Sequence, residues 1–468
     1  MISRKYGSYS EFKDSGSGWL GKIPTHWSAN KLKFVANAFA SNVDKKTKDG
    51  EIPVRLCNYT DVYYNDVIRP GMPFMVATAT QEQITKFTLR AGDTIITKDS
   101  EDPNDIAIPT FVAQDMPGVI CGYHLSVIRP APTMFPEFLN KTFQCAFARA
   151  YFATRSNGLT RYGLGGQALG SIVIPVPPLD EQTQIAKFLD YETANIDALI
   201  AKQQQLIALL QEKRQAVISH AVTKGLNPAA PLRDSGVAWL GQVPAHWEVG
   251  RLKHITDFIT SGPRGWSDLI SDEGTAVFLQ SGDLNDKLGL RVDTAKRITP
   301  PLNAESARTK MHNGDVVVCI TGANTGRVAV AIQLREKVYV NQHLSLVRPQ
   351  KDQIIPEYLA TILASSAVKA YFAVKQYGLK EGLSLTNIAE TPLCLPPIEE
   401  QVAIVSHLNK LGSKLDKLED AAESQVELLQ ERRTALISAA VTGKIDVRGW
   451  QPPPAAADGA HGRVNGSG

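Results

Sequence analysis

The side chains best suited to contact a ligand in this chain stand on short loops that contain glycine. Residues 261–267 read Ser-Gly-Pro-Arg-Gly-Trp-Ser, so small residues surround one arginine and one tryptophan. An arginine that donates two hydrogen bonds to guanine is the commonest specific contact in the DNA major groove. The loop therefore favours DNA contact by Arg264 over a purely structural turn. Trp266 is a candidate for stacking on bases, although a tryptophan in such a loop is more often a packing anchor.

Other loops offer basic, aromatic or amide side chains that suit contact with DNA phosphates or bases. These side chains are Lys45, Lys46, Lys48, Lys98, Arg161, Tyr162, Asn324, Arg327 and Lys380. Each has a structural alternative. The first three lysines could form a solvated loop, Lys98 could be a surface lysine after a strand, and the remaining residues could belong to connecting turns. Arg161 and Lys380 lie at matching places in two similar segments, which suits a contact with the DNA backbone.

The residue pattern gives no support for catalysis. The string His-Leu-Ser recurs at 124–126 and 343–345, but no carboxylate–serine arrangement converges on it, so we expect buried, hydrogen-bonded histidines. His26 and His246 each precede a tryptophan and are also expected to be structural. An adenine methyltransferase needs an Asn/Asp-Pro-Pro-aromatic motif, and the nearest string, Asp-Pro-Asn at 102–104, lacks the second proline and the aromatic residue. We expect no catalytic residue, no metal site and no bound cofactor.

Composition restricts where a DNA-binding surface could lie. The 468 residues carry a formal net charge of +3, so a nucleic-acid surface must be local rather than a property of the whole chain. The cysteines Cys57, Cys121, Cys145, Cys319 and Cys394 show no paired spacing, which favours small buried side chains in a reducing cytoplasm over disulfides or zinc. No apolar run is long enough for a membrane span, and the first residues do not resemble a signal peptide.

The chain repeats itself after about 220 residues. Of the 14 residues at 14–27, nine are identical at 234–247, and of the 14 at 209–222, ten are identical at 428–441. Sequence diverges between these matched ends. A constant–variable–constant–variable order is typical of two readers of different targets built on one symmetric frame.

Each variable region is predicted to mix α and β structure. Strands are expected at 94–97 and 125–128 in the first copy, and at 316–320 and 344–347 in the second, because β-type runs there are bounded by Gly-Asp and Arg-Pro. Each copy then has a helical stretch that opens with proline. These stretches cover residues 136–152 and 356–372.

A long helix is predicted to follow each variable region, because a Pro-Pro pair and an acidic first turn precede an uninterrupted apolar pattern. The apolar positions are Ile185, Leu189, Ile196, Leu199, Leu206, Leu210 and Val217 in the first helix, and Ile404, Leu408, Leu411, Leu415, Leu418, Ala422, Val426, Leu429 and Leu436 in the second. Their mean spacing near 3.5 predicts a coiled coil. An antiparallel pair would place the two variable regions at opposite ends.

Three duplicated motifs carry a family resemblance. They are Trp-Leu-Gly-x-[Ile/Val]-Pro-x-His-Trp, Pro-Pro-[Leu/Ile]-x-Glu-Gln-x-x-Ile, and Leu-Leu-Gln-Glu-[Lys/Arg]-Arg-x-Ala-x-Ile-Ser-x-Ala-Val-Thr. In this order the chain resembles the specificity (S) subunit of type I restriction–modification systems, from residue 14 to about 447. The resemblance implies two α+β target recognition domains, each reading half of a bipartite, asymmetric DNA target in the major groove, and an antiparallel coiled coil of two long helices that sets the spacer.

The resemblance also implies a subunit without chemistry of its own, in the cytoplasm of a bacterium or archaeon. It would dock two methyltransferase (M) subunits, which methylate adenine at N6 with S-adenosylmethionine, and restriction (R) subunits, which use ATP and Mg²⁺. The helix-end residues Glu212, Arg214, Glu431 and Arg433 are candidates for this docking, or simply form salt-bridged helix faces. Competing hypotheses are methyltransferase or nuclease chemistry in this chain, and a coiled-coil scaffold without a DNA role.

The predicted organisation has seven parts. They are an N-terminal segment of the first repeat (1–27), recognition domain 1 (28–175), the central long helix (176–226), a linker with the start of the second repeat (227–247), recognition domain 2 (248–394), the C-terminal long helix (395–447) and a disordered tail (448–468).

Overall fold

The structure, a computed structural model, describes residues 6–158, 160–376 and 382–453. The chain forms two compact units. Unit 1 comprises residues 1–203 and 424–468, and unit 2 comprises residues 204–423. Each unit therefore contains one variable region and one part of each long helix.

Two β-sheets form the centre of the variable region in unit 1. The strands of this unit are β1 (Phe12–Asp14), β2 (Lys22–Pro24), β3 (Ser28–Lys31), β4 (Ala36–Ala40), β5 (Ile52–Cys57), β6 (Val67–Ile68), β7 (Met75–Ala79), β8 (Thr94–Thr97), β9 (Asp99–Ser100), β10 (Pro109–Val112), β11 (Val119–Cys121), β12 (Leu125–Pro130), β13 (Tyr162–Gly163) and β14 (Val173–Val176). One sheet has the order β4-β12-β8-β10-β6, and the other has the order β11-β5-β7. Strand β12 is antiparallel to both β4 and β8, with Ser126 opposite Ala40 and Ile96.

Unit 2 repeats this topology. Its strands are β15 (Leu232–Asp234), β16 (Gln242–Pro244), β17 (Glu248–Arg251), β18 (Thr256–Ser261), β19 (Ala276–Leu279), β20 (Lys296–Ile298), β21 (Val316–Cys319), β22 (Val328–Val330), β23 (Val338–Val340), β24 (Leu344–Pro349) and β25 (Pro392–Leu395). The sheet orders β18-β24-β21-β22 and β20-β19-β23 match those of unit 1 strand for strand, apart from β6. The four strands predicted from sequence are confirmed as β8, β12, β21 and β24.

Strands β8 and β12 carry apolar residues at successive positions because both of their faces are covered. Ile96 and Ile128 pack in a cluster with the helices, whereas Ile95 and Val127 pack in a second cluster with the three-stranded sheet. Alternate residues of a strand point to opposite faces, so a doubly covered strand reads as a continuous apolar run.

Helices flank the sheets in both units. They are α1 (Tyr59–Tyr63), α2 (Gln81–Phe87), α3 (Pro136–Phe143), α4 (Ala146–Ala153), α5 (Gly166–Ser171), α6 (Leu179–Lys224), α7 (Ala304–Thr309), α8 (Pro356–Leu363), α9 (Ser366–Lys375), α10 (Leu385–Ala389) and α11 (Ile398–Val441). With the sheets they confirm the predicted α+β class of both variable regions.

The helical stretches predicted at 136–152 and 356–372 are confirmed, and each is broken into two helices. A serine of a long helix stabilises each break. In unit 1 the Ala146 N–H donates to Ser438 Oγ at 3.1 Å, and in unit 2 the Ser366 N–H donates to Ser219 Oγ at 2.8 Å. An N–H group freed at a new helix start needs such an acceptor, and it comes from a residue distant in sequence.

Helices α6 and α11 pack antiparallel within each unit. In unit 1, Gln184 contacts the Val447 carbonyl and Asp197 contacts Arg433. The residue numbers thus increase along α6 while those of the residues that it contacts decrease, as in an antiparallel pair. In unit 2, Arg214 contacts Asp416, and Val222 shares a core cluster with Ile404. The predicted antiparallel pair of long helices is confirmed.

The buried seam of this coiled coil differs from the predicted one at three leucines. Leu199, Leu206 and Leu418 are 47%, 41% and 53% exposed. In the middle of the helices, the line of buried or half-buried positions runs through Ile196, Ile200, Gln203, Ile207, Leu210 and Arg214 in α6, and through the matching Leu415, Glu419, Ala422, Val426, Leu429 and Arg433 in α11. This line keeps the alternating steps of four and three residues. It includes polar side chains, which an apolar count passes over in favour of leucines on the neighbouring face.

Candidate nucleic-acid interface

A tryptophan and a histidine are tied to the first turn of each long helix. In unit 1, Trp27 Nε1 donates to Glu181 Oε2 at 2.8 Å, and His26 Nε2 lies 2.6 Å from Glu181 Oε1. Glu400 of unit 2 makes the same contacts with Trp247, at 3.0 Å, and with His246, at 2.6 Å. The duplicated His-Trp and Glu-Gln motifs therefore meet in space. The structural role expected for His26 and His246 agrees with these contacts.

The glutamine of each Glu-Gln pair binds the residue that directly precedes helix α3 in unit 1 or helix α8 in unit 2. Gln182 accepts from the Phe135 N–H at 2.7 Å, and Gln401 accepts from the Ile355 N–H at 2.9 Å. Both glutamines are fully buried. Because a buried amide without partners would cost free energy, these bonds explain why the motif needs glutamine at this place.

In each unit, a half-buried arginine and a buried aspartate form an ion pair at the central strands of the larger sheet. Arg129 donates to Asp93 at 2.8 and 2.7 Å, and Arg348 donates to Asp315 at the same two distances. Both aspartates are 1% exposed. Two parallel hydrogen bonds fix the relative direction of the paired groups. The Gly-Asp and Arg-Pro pairs, which the sequence predicted as strand boundaries, thus contribute the aspartate and the arginine of one ion pair in each unit.

At the ends of strands β8 and β21, the backbone makes the same hydrogen bonds in both units. The Lys98 N–H donates to the His124 carbonyl, and Leu164 N–H donates to the Lys98 carbonyl, at 2.9 and 2.8 Å. In unit 2 the corresponding bonds run from Ile320 to His343 and from Leu383 to Ile320, again at 2.9 and 2.8 Å. Positions 98 and 320 are therefore matched, as are 124 and 343.

In unit 1 the strand end carries a charged and aromatic cluster. Lys98 Nζ lies 2.8 Å from Asp99 Oδ2, and His124 Nδ1 lies 2.8 Å from the same oxygen. Lys98 Nζ also stands 4.4 Å from the centre of the Tyr123 ring. Burial tends to raise the Asp99 pKa, but the hydrogen bonds from Lys98 and His124 bring that pKa below its ordinary value. The Lys98 side chain is thus held by Asp99 and Tyr123 and is only 13% exposed, which corrects its interpretation as a surface lysine.

Three tyrosines extend this cluster, at the start of α1, at its end and directly after it. The Tyr59 and Tyr63 rings stack at 5.4 Å, and the Tyr64 ring meets Tyr63 edge-on at 5.0 Å. Tyr64 is 75% exposed and Tyr123 is 49% exposed. A hydrogen bond from the Tyr63 hydroxyl to Asp105 raises the Tyr63 pKa. The sequence prediction did not include these tyrosines, although the Tyr-x-x-x-Tyr-Tyr string after a strand was a usable signal.

The predicted residues Arg161 and Tyr162 belong to the same cluster. Tyr162 lies in β13, which pairs with β9 so that Tyr162 faces Ser100. Burial raises the pKa of Tyr59, while a hydrogen bond with Ser100 and the nearby charge of Arg161 lower it. Arg161 is exposed. The structure therefore brings together Lys98, Arg161 and Tyr162, which the sequence placed on separate segments.

The matched strand end of unit 2 carries different side chains. Thr321 and His343 share a hydrogen bond, and Gln342 Nε2 lies 3.1 Å from His343 Nε2. Among the described residues, the oxygen of the Gln342 amide has no hydrogen-bond partner. Asn324 donates to the Ser281 carbonyl at 3.2 Å, and Arg327 lies 3.1 Å from Asp286. The predicted residues Asn324 and Arg327 thus hold this surface together, which fits their structural alternative.

The histidines at these strand ends are not core residues. The His124 side chain is 20% exposed, and His343 is exposed, so the prediction that both are buried was wrong. Each histidine is hydrogen-bonded, as expected. They precede an inward-facing leucine, and the alternation of side chains along the strand places them at the open end of the sheet.

The remaining predicted contacts have different surroundings. Arg264, Lys45 and Lys46 are exposed, and Lys48 is exposed with its Nζ 3.9 Å from Glu51. Trp266 is 5% exposed and packs against Phe278 and Tyr339, so the packing alternative describes it and its ring is not available to stack on bases. Lys380 lies outside the described residues.

The predicted docking residues fall into two groups. Arg214 lies 2.7 Å from Asp416 and 3.3 Å from Glu419, and Arg433 contacts Asp66 and Asp197. Glu212 and Glu431 are exposed. The arginines thus form the salt-bridged helix faces kept as the alternative, and docking by any of the four residues stays a prediction.

All five cysteines are buried and free, as the sequence predicted, and burial raises the pKa of the Cys394 thiol to about 12. Within residues 6–158, 160–376 and 382–453, no group of His, Cys, Asp and Glu side chains is arranged to hold a metal ion. None of the helices in this part of the chain is both long and apolar enough to cross a membrane.

Comparison with known proteins gives a consistent family. A family model described as type I restriction modification DNA specificity domain matches twice, at residues 27–209 and 244–428. The chain is 22% identical over 439 residues to a putative type I restriction enzyme MjaX specificity subunit of Methanocaldococcus jannaschii, covering 92% of this chain and 96% of that protein. It is 24% identical over 351 residues to the type I restriction enzyme EcoKI specificity subunit of Escherichia coli K12, covering 71% of this chain and 70% of that protein.

Solved structures support the same fold. A chain from a study of complex assembly and conformational transition of the type I R-M system superposes with a TM-score of 0.66 at 18% identity. The match covers 91% of this chain and all of that one. At this identity the likeness concerns the fold alone.

Proposed function

The chain belongs to the family of type I restriction–modification DNA specificity subunits, and from that membership we propose how it works. Each variable region reads one half of a bipartite, asymmetric DNA target in the major groove. The paired helices set the spacer between the half-sites and dock two methyltransferase subunits and the restriction subunits. The chain supplies recognition and no chemistry.

One observation carries this proposal. The two units share the same supports at matched positions, namely the Arg129–Asp93 and Arg348–Asp315 pairs, yet their strand ends carry different side chains. An enzyme that used both copies for one reaction would need the same reacting groups twice. Two readers of different sequences need a common frame with different contact residues, which is the arrangement here.

Partner subunits would supply the chemistry and its cofactors. In this proposal the methyltransferase subunits bind S-adenosylmethionine and transfer its methyl group to adenine N6, and the restriction subunits use ATP and Mg²⁺. The exposed Glu212 and Glu431 are available for docking, because neither forms an ion pair with another described residue, whereas Asp416 and Asp197 do.

Genome-wide mapping of methylated adenines tests the proposal. In a host that carries the intact system, we expect a split motif with a fixed gap, and we expect the purified chain alone to transfer no methyl group from S-adenosylmethionine. A continuous motif, or methylation by the isolated chain, would contradict the proposal.

Affinity of the assembled complex for DNA should fall steeply with salt, since Lys and Arg contacts to phosphates release counterions. A salt-independent affinity would instead favour the scaffold alternative.

A further inference from the structure

We infer that Tyr123 in unit 1 and Gln342 in unit 2 are the side chains that decide which base pairs their regions prefer, with residues 98–99 and 320–321 as positioning residues. This inference rests on the proposed function, because it names the reading positions within the recognition surface. It is carried by the comparison of matched positions in the two copies of the fold.

The backbone at these positions is the same in both units. Besides the bonds from Lys98 and Ile320 described above, the bridge between Asp99 and Gly163 corresponds to the bridge between Thr321 and Gly382. Asn58 and Gln280 also match, since the N–H of each donates to an aspartate three residues later at 2.7 Å. A difference in side chain at these places is therefore a difference in chemistry on an unchanged scaffold.

The side chains at the matched positions differ in kind. Positions 98 and 99 hold Lys and Asp in unit 1, and the matched 320 and 321 hold Ile and Thr in unit 2. Tyr123 corresponds to Gln342, and each directly precedes the recurring histidine. Of these four pairs of matched positions, only the histidine is the same in both copies. The backbone is thus the same in both units, whereas the side chains differ at the surface where a ligand would bind.

Tyr123 has the exposure and support that a contact residue needs. Its ring is 49% exposed, and the Lys98 ammonium lies 4.4 Å from the ring centre. Lys98 is in turn bound to Asp99, which also binds His124. A cation held against one aromatic ring restricts that ring's position. The chain of contacts Asp99–Lys98–Tyr123 therefore holds the exposed phenol of Tyr123 in a fixed position.

Gln342 is the corresponding reader in unit 2. One end of its amide contacts His343, which Thr321 also contacts, while the oxygen at the other end is buried and has no partner among the described residues. A buried polar atom without a partner costs free energy, and rotation of the half-buried Gln342 side chain towards a DNA base would recover it through a new hydrogen bond. Glutamine can bind the N6 and N7 positions of adenine with two hydrogen bonds. Double-stranded DNA with an adenine in this half-site fits the group.

Exchange of the two readers gives the test. In a host with the complete system, Tyr123→Gln should change the preferred base at one or two positions of one half-site, or lower methylation of sites that carry the original bases there about tenfold. Gln342→Tyr should do so in the other half-site only. The gap should stay unchanged in both variants. The fuller exchange Lys98→Ile, Asp99→Thr and Tyr123→Gln should strengthen the first effect.

Controls separate reading from folding and from general affinity. Lys45→Ala with Lys46→Ala, in an exposed loop, should lower methylation at all sites without changing the motif. Co-purification with partner subunits checks that each variant is folded. If the triple variant does not fold, the single variants at Tyr123 and Gln342 decide. An unchanged motif in both folded single variants would overturn the inference while leaving the proposed function intact. A wild-type motif that is not split would overturn the proposed function, and the inference with it.

Discussion

Glu181 accepts hydrogen bonds from side chains that are far apart in sequence. Tyr9, His26 and Trp27 converge on its carboxylate, and the Glu181 side chain is 7% exposed. Burial and the neighbouring Glu181 charge raise the pKa of Tyr9, so its hydroxyl remains a donor. This residue links the N-terminal segment of the chain to the first turn of α6. Its counterpart Glu400 has a 41% exposed side chain and holds the matching histidine and tryptophan.

Replacement of these glutamates should have unequal effects. Glu181→Ala leaves buried donors of Trp27 and Tyr9 without an acceptor, so we expect a loss of about 3 kcal/mol in unfolding free energy. Glu400→Ala is the matched control and should cost about 1 kcal/mol, because the Glu400 side chain is 41% exposed and water can take its place beside the buried Trp247. Urea unfolding followed by tryptophan fluorescence measures both. Equal losses would show that burial and the Tyr9 bond are not what distinguishes Glu181.

The coiled coil is held by a seam that mixes apolar and charged side chains. Ile196 and Leu415, at matched positions, are 3% and 4% exposed, whereas Leu199 and Leu418, three residues later, face solvent. Within unit 2, Asp416 beside this seam joins Arg214 of the partner helix to Lys287 of the variable region, at 2.7 and 3.1 Å. The long helices therefore support the recognition region as well as each other.

Substitutions along α6 test which line of residues is the seam. Ile196→Ala removes a buried side chain and should lower the free energy of unfolding by about 2–5 kcal/mol. Leu199→Ala should change it by about 0.5 kcal/mol or less, since the leucine is already exposed. The same contrast is expected between Leu415→Ala and Leu418→Ala. Thermal unfolding of the four variants measures it, and a larger loss at the two exposed leucines would restore the seam predicted from sequence.

The Asp416 contacts should make stability depend on pH. Burial tends to raise the Asp416 pKa, but hydrogen bonds from Lys287 and Arg214 lower it below its ordinary value. The stabilisation is therefore present above the ordinary aspartate pKa of about 4 and is lost as pH falls through the lower folded pKa. Asp416→Asn should lose about 1 kcal/mol at pH 7. This difference from wild type should shrink as the pH is lowered past about 4, and urea titrations at several pH values would reveal a constant difference if the pair contributes nothing.

At the scale of the whole molecule, each unit combines one variable region with parts of both long helices. Helix α6 begins in unit 1 and ends in unit 2, and α11 runs the other way. A variable region thus contacts a mixed pair of helix segments, one from each repeat. The frame on which one region rests is consequently built from both halves of the sequence.

Exchange of a whole variable region should therefore change half of the target. Residues 28–170 replaced by the corresponding region of another specificity subunit should alter one half of the methylated motif and leave the other half and the gap unchanged. Replacement of residues 248–389 is the reciprocal control and should alter only the other half. Methylation mapping of both chimaeras checks this expectation, and a change in both halves from one exchange would contradict the assignment of one region to one half-site.

The repeat, the two long helices and the strands β8, β12, β21 and β24 were predictable because they depend on local patterns. Prolines and acidic residues mark the helix starts, and apolar runs mark strands covered on both faces. The duplicated motifs also indicated the family. What these motifs hold together was not predictable, since Glu181 meets Trp27 across 154 positions and Arg129 meets Asp93 across 36.

Tertiary structure decided which side chains share a surface. Lys98 contacts the Tyr123 ring, and the pairing of β13 with β9 brings the segment of Tyr162 and Leu164 against residues 98–100. It also buried Trp266, left His343 exposed and moved the coiled-coil seam away from Leu199. Sequence patterns report the period of an element, whereas the face that an element buries depends on the partners that pack against it.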